Sequence, residues 1–506
     1  MSTAKRRGPV MVEALVLIPA VLGTICFFIR GPGIKRGLLV FGAGLHFLLV
    51  VSVWATGNYN VPAGSWVGLD ALGTFFLGIT SLIFFITSLY AAGYLSREAK
   101  GMRKDFTEGG LFKNTPEQVF VGCYLLFLAA MTLVTVSQHM GLLWVAVEAT
   151  TLASAPLIAF HRHHRALEAM WKYLIICSVG IALALLGTLS LGAATGHLGE
   201  GAAPLLLASL LENAKSLDPT WVKLSFVLLL VGYGTKMGLA PFHTWLPDAH
   251  SEGPSAVSAL LSGALLNVAF LGILRAYQTL DAAGLAVFGG KLLIAFGLIS
   301  MAFAAAFIVR QNNFKRMLAY SSIEHMGIMA IGVGIGSAGI FGAGVHAINH
   351  SLIKAMLFLT AGNIMAHYKT TNAKGVQGAI QVLPVSGVLW LVGFFAITGV
   401  PPFGLFVSEF TILKATLDGG HSWVAITYLF LLVVIFIAMA GTFFSMAQGP
   451  YETKPGLAPA SNPGEPVSST LSPILLAVGT LIMGLSIPSF VKDILDLFAK
   501  TLGGGL

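Results

Sequence analysis

Residues 221–245 read WVKLSFVLLLVGYGTKMGLAPFHTW, and this stretch decides the fold. The run 221–240 is apolar enough, and long enough, to cross a hydrocarbon core about 30 Å thick. Near its end stands Lys236, followed by Gly238 and Pro241. Proline removes a backbone donor and clashes with the preceding turn, so this helix is expected to break there. Inside a bilayer, a break is tolerated only where the freed backbone groups meet protein, water or ions. A charge at that depth costs about 3 kcal/mol on insertion scales and marks function.

The rest of the chain follows suit. Hydrophobic residues make up 56% of 506 and charged ones 10%, with a mean hydropathy of +0.84. A soluble domain carries roughly a quarter charged residues, so the bilayer must be the solvent here. Fourteen runs can span, near 10–29, 37–55, 70–92, 119–136, 140–160, 171–194, 221–240, 255–278, 285–309, 318–335, 338–366, 383–417, 422–447 and 470–490. The twelfth is too long for one straight helix and should break at Pro401-Pro402. The expected fold is an all-α polytopic membrane protein of about fourteen transmembrane helices. The first run, after Lys5-Arg6-Arg7, lacks a small-residue cleavage site and reads as a retained helix.

Basic residues set the orientation. Seventeen Lys and Arg fall in loops on one side and nine, Arg275 among them, on the other, which puts both termini outside the cell. The net charge of +8 is scattered over short loops, so membrane-surface anchoring is favoured over nucleic acid. The loop His161-Arg162-His163-His164-Arg165 reads as a solvated anchor to anionic lipid rather than a metal site. The 94–118 loop is basic enough to meet a hydrophilic partner, and 450–470 is a Pro/Ser/Gly-rich linker. Cys26, Cys123 and Cys177 lie in apolar runs without metal or redox spacing, so no cofactor or metal is expected in this chain.

Three cations remain in apolar segments: Lys236, Lys354 and Lys414, the last near a helix end where it could snorkel to water. Glu148 lies in GLLWVAVEATTLASAPL (141–157), Lys354 in HAINHSLIKAMLFL (346–359) and Glu409 in GVPPFGLFVSEF (399–410). His346, His350 and Lys354 stand at i, i+4 and i+8, so one helix face carries all three. Glu324 and His325 occupy the preceding apolar segment. A buried salt bridge that only fixes packing is the alternative for an isolated pair, but a set of this kind points to proton hopping. Low dielectric disfavours an ammonium and a nearby carboxylate restores it, while imidazoles relay protons near neutrality. Breaks at Pro241 and Pro401, in comparable places of two five-helix stretches, suggest an inverted repeat. Helices four to eight (118–280) would pair with nine to thirteen (281–449), after an N-terminal three-helix segment (1–117) and before a C-terminal helix (471–506).

TKMGLAPFHTWLPDAHSEGPS (235–255), KRMLAYSSIEHMG (315–327) and NHSLIKAMLFLTAGNI (349–364) resemble the antiporter-like membrane subunits shared by respiratory complex I, the Mrp Na⁺/H⁺ antiporters and the group 4 [NiFe] hydrogenases. Within that family the likeness is to the F-type subunits of hydrogenase-4 (formate hydrogenlyase-like) complexes. The resemblance implies two inverted five-helix repeats with helices seven and twelve broken. It matches Glu148, Lys236, Lys354 and Glu409 to the family's ionisable positions on helices five, seven, eleven and twelve. A position on helix eight that is often lysine is Asn267 here, which cannot titrate, so the middle of a relay must use His243, His346, His350, Lys354 or water. The implied role is a proton- or Na⁺-translocating subunit in a bacterial or archaeal plasma membrane. Its partners would be the membrane and hydrophilic subunits of a hydrogenase-like complex, with NiFe and iron–sulfur centres in those partners. The alternatives are an Mrp-type antiporter without redox partner, or a coupling subunit of another complex such as inorganic-carbon uptake.

Overall fold

The computed structural model describes all residues except 1–6, 58–60, 99–100, 106–107, 197–204, 450–463 and 505–506. Most of the expected linker at 450–470 therefore lies outside the described residues, and helix resumes at Val467.

The chain opens with α1 (Arg7–Cys26), α2 (Pro32–Thr56) and α3 (Ala71–Arg97), then a short antiparallel ribbon, β1 (Met102–Lys104) and β2 (Leu111–Lys113). It continues with α4 (Glu117–Val136), α5 (Met140–Ile158), α6 (His164–Ala194), a short α7 (Leu207–Glu212) and α8 (Pro219–Met237). After a break come α9 (Trp245–Glu252) and α10 (Ser255–Leu260), which passes through a π-turn, Leu261–Leu265, into α11 (Leu266–Ala282). Next are α12 (Ala286–Ile308), α13 (Phe314–Ile335), the long α14 (Ala338–Tyr368) and a single turn, α15 (Ala379–Val382). α16 (Pro384–Ile397) and α17 (Gly404–Asp418) flank the second break, and α18 (Ser422–Gln448), α19 (Val467–Leu485) and α20 (Ser489–Thr501) finish the chain.

Ten helices among the described residues are long and apolar enough to cross a membrane, and two shorter apolar ones, Met11–Cys26 and Pro384–Ile397, add to them. The fold is thus that of a mostly helical polytopic membrane protein, with the short ribbon as its one sheet among the described residues. Two long helices missing from the ten, α8 and α14, are those whose apolarity is diluted by Lys236 and by His346, Asn349, His350 and Lys354. The Lys236 end of α8 and the polar row of α14 are buried in the bundle, so these polar groups face protein rather than lipid.

Both breaks form where the sequence placed them. Gly238 caps α8 at φ +86°, and Leu239 N–H reaches back to the Gly234 carbonyl, the left-handed ending that glycine allows. The Trp245 indole then donates to the Thr235 carbonyl at 2.8 Å and fastens α9 across the gap. Elsewhere small residues set the spacing. A Cβ on Gly297 or Gly327 would strike the other's carbonyl at 2.6 Å, so α12 and α13 touch backbone to backbone.

Two sequence readings are corrected. Arg275, placed among the loop cations, lies inside α11 at 1% exposure, where Asp70, the N-cap of α3, receives both its Nη groups. The His161–Arg165 loop is not simply solvated. His161 bonds Tyr94 Oη and Asn114 Oδ1, both at 2.9 Å, His163 caps α6, and Arg165 pairs with Asp105. Burial holds the His161 imidazole down to about 3, helped by the positive charge of Arg103. It is therefore neutral in the fold, while an unfolded imidazole binds a proton below about 6.5. Stability from this group is full above that pH and falls as the pH drops, by at most about 2 kcal/mol at pH 5. Melting the purified protein at pH 7 and pH 5 should show a loss that His161→Gln reduces; an unchanged loss refutes the assignment.

Candidate functional site

The first cluster joins α5, α6 and α8. Lys236 sits in the last turn of α8, fully buried, where the helix C-terminus favours a cation. Its Nζ lies 2.7 Å from Thr151 Oγ1 and 2.7 Å from Tyr173 Oη, and 4.6 Å from the Tyr173 ring centre. Thr151 Oγ1 in turn donates to Glu148 Oε2 at 3.2 Å, and Ser178 Oγ donates to Glu148 Oε1 at 2.8 Å. The expected Glu148–Lys236 partnership is thus bridged by a hydroxyl rather than a direct ion pair. An ammonium can only donate, so Thr151 accepts from the lysine and spends its one hydrogen on the glutamate. A proton can pass from Lys236 to Glu148 by two short hops along that line.

The second cluster lies between α13, α14 and α17. Lys354 Nζ, fully buried, donates to the Leu318 carbonyl and Ser321 Oγ, both at 2.7 Å, with Glu324 one helical turn beyond Ser321. His325 Nδ1 lies 3.0 Å from His346 Nε2, and His346 Nδ1 lies 3.0 Å from Ser408 Oγ. The tautomers follow from the hydroxyl. Ser408 gives its hydrogen to the Leu405 carbonyl at 2.8 Å, so His346 Nδ1 must donate to it. The Nε2 of neutral His346 then accepts, His325 Nδ1 donates, and the His325 Nε2 lone pair is left with no partner. The His350 ring lies 5.4 Å from that of His325, with neither nitrogen bonded. Glu409 closes the group: Oε2 rests against Gly399 (φ +65°), where any Cβ would overlap it, and buried Oε1 has no partner.

Between the clusters the ladder is sparser. His243 is buried against the edges of Phe303, Phe307 and Tyr320, 5.5–6.4 Å between centres. Asn267, just past the π-turn, donates to Ser351 Oγ at 2.6 Å on the face of α14 that also carries Lys354. His250 joins this set only in the folded structure. It is fully buried and stacked on Phe358, with 4.9 Å between ring centres. Its signal was present in LPDAHSEG but lay among loop-like polar residues. Lys315, also overlooked, is buried and donates to the Gly253 carbonyl at 2.6 Å. Lys414 drops out: its ammonium is exposed and pairs with Asp418 at 2.6 Å.

A cavity of about 300 Å³ opens at the end of the bundle that carries the β-ribbon. His161, Arg165, Glu252 and Lys315 line it, and so do Ser251, Gly253 and Ser255, which follow His250 in sequence.

Residues 137–436 match the family described as NADH:quinone oxidoreductase/Mrp antiporter, transmembrane. A hydrogenase-4 component F homolog of Methylacidiphilum infernorum is 40% identical over 356 residues, 70% of this chain and 73% of the relative. Subunit A1 of a Na⁺/H⁺ antiporter from Staphylococcus haemolyticus is 27% identical over 498 residues, 91% of this chain but 58% of the longer relative. In fold, a chain of the membrane-bound sulfane sulfur reductase, an archaeal respiratory membrane complex, superposes with a TM-score of 0.81 at 22% identity, covering 97% of this chain and 98% of that one.

Proposed function

We propose that this chain, which belongs to the NADH:quinone oxidoreductase/Mrp antiporter transmembrane family, moves protons as a membrane subunit of a hydrogenase-like redox complex. The carrying observation is the hydroxyl bridge from Lys236 through Thr151 to Glu148, a proton wire closed at its centre to lipid. The His325–His346–Ser408 line supplies a second row of bonded polar groups, with the Glu409 carboxylate nearby but not hydrogen-bonded to it. Each row lies beside one of the two broken helices, which supports pairing 118–280 with 281–449 as inverted repeats. Asn267, with its lysine-free middle, leaves the link between the two to His243, His250, Lys354 and water.

Protons would be taken up through the cavity beside Glu252 and Lys315 and pass His250 toward Lys354. On this reading the β-ribbon end would face the cytoplasm and both termini the outside of a plasma membrane. Redox centres, NiFe and iron–sulfur, would sit in partner subunits, and their turnover would drive the relay by moving charge near Glu148. A second reading, Na⁺/H⁺ antiport without a redox partner, draws on the alignment with the antiporter subunit over nine-tenths of the chain.

The test is acidification of inverted vesicles holding the native complex, driven by its electron donor, in sodium-free buffer. Wild type should acidify, and Glu148→Gln should lower the rate roughly 100-fold, the scale for losing a positioned proton acceptor. Acidification that requires Na⁺, or that Glu148→Gln leaves intact, rejects the proton reading.

A further inference from the structure

We propose that His325, His346 and Glu409 form a binding site for a divalent transition-metal ion of the zinc type, which replaces the proton held between the two imidazoles. One donor atom from each of the three residues lies within 4.8 Å of the other two, and all three side chains are buried. Bonds of about 2.0–2.1 Å in tetrahedral geometry place zinc ligands roughly 3.3 Å apart. His325 Nδ1 and His346 Nε2, at 3.0 Å, are already near that separation. The carboxylate, within 4.8 Å of both nitrogens, must approach by at most about 1.5 Å to reach that separation.

Three further features point to a ligand rather than to a cluster that merely packs. Glu409 Oε1 and His325 Nε2 are buried without a hydrogen-bond partner, although both belong to strongly solvated groups. Gly399 leaves no Cβ where Glu409 Oε2 lies, so the carboxylate is let in close to the end of α16. His346 also has the outer support that metal-binding histidines need: its Nδ1–H is held by Ser408 at 3.0 Å, which presents the Nε2 lone pair inward. Two imidazoles and one carboxylate suit zinc and its neighbours. Sodium, a hard ion, would want more oxygens than the cluster offers. On binding, the hydrogen on His325 Nδ1 moves to the free Nε2, so both inward nitrogens become lone pairs. The inference rests on this geometry and not on the translocation reading, and its readout is binding.

The experiment is zinc stoichiometry, with zinc X-ray absorption, on the full chain in its native membranes, comparing wild type with His325→Gln, His346→Gln and Ser408→Ala. One tightly bound zinc per chain with two imidazoles is expected. It should be lost in both histidine variants, and Ser408→Ala should bind about 10–100-fold more weakly while keeping all three ligands. His163→Gln/His164→Gln in the loop should change nothing. Zinc retained in His325→Gln and His346→Gln, or removed by the loop variants, overturns the proposal. Because Ser408→Ala removes only a hydroxyl, unchanged affinity in that variant also counts against it.

Discussion

Replacing Lys236 with methionine is expected to stop translocation in the vesicle assay while the protein stays folded. Methionine nearly matches the length of the lysine stem and fills the same space among buried neighbours. It leaves no charge behind, and replacing a buried charge by a packed apolar side chain is often neutral or stabilising. Thr151, Tyr173 and Ser154 can still bond among themselves, since Tyr173 Oη lies 2.7 Å from Ser154 Oγ. The lost proton donor should lower the rate by roughly 100-fold or more. Thr151→Val tests the bridge itself. Valine keeps the shape but not the hydroxyl, so the rate should fall at least about tenfold, whereas Thr151→Ser restores the hydroxyl and should retain most activity. Thr151→Val pumping like wild type would mean that the proton travels from Lys236 to Glu148 by another path.

The lysines and histidines of this site could be read from the sequence because a bilayer penalises them, so their presence in apolar runs is a signal by itself. The same holds for the breaks, since Gly238, Pro241 and Pro401-Pro402 act on their own local backbone. The hydroxyls that bond these groups give no such signal, for the opposite reason. Thr151, Tyr173, Ser178 and Ser408 are ordinary in membrane helices, where a hydroxyl can bond its own helix carbonyl at little penalty. Only the approach of α5, α6 and α8 makes Thr151 a bridge, and only the position of α17 makes Ser408 the group that sets the His346 tautomer. The π-turn before Asn267 had no signal in LSGAL, since one extra residue per turn is a response to packing. Charge counting failed at Arg275 because its partner, Asp70, lies 205 residues away at the start of α3.

That pair carries the largest expected effect on stability. Arg275 is 1% exposed, and its two Nη groups meet both oxygens of Asp70. Asp70 also accepts from Gly73 N–H at 3.1 Å and from Gln138 Nε2 at 3.2 Å, so it joins the start of α3 to the α4–α5 turn. Gln278, one turn beyond Arg275, donates to the Thr501 carbonyl and ties in the end of α20. Asp70→Asn leaves a guanidinium buried with no counter-charge, and breaking a buried pair from one side costs about 3–5 kcal/mol. The protein should melt many degrees lower in detergent, and α20 should become open to protease. Arg275→Met leaves the milder defect, because Asp70 is one-fifth exposed and keeps its cap bonds to α3. In the double variant Asp70→Asn/Arg275→Met no charge is stranded, so most of the stability lost in Asp70→Asn should return. A double variant as unstable as Asp70→Asn alone would show that the loss did not come from the stranded arginine, since asparagine keeps the cap to Gly73. The order Asp70→Asn below Arg275→Met below wild type is what an ion pair buried at one end demands.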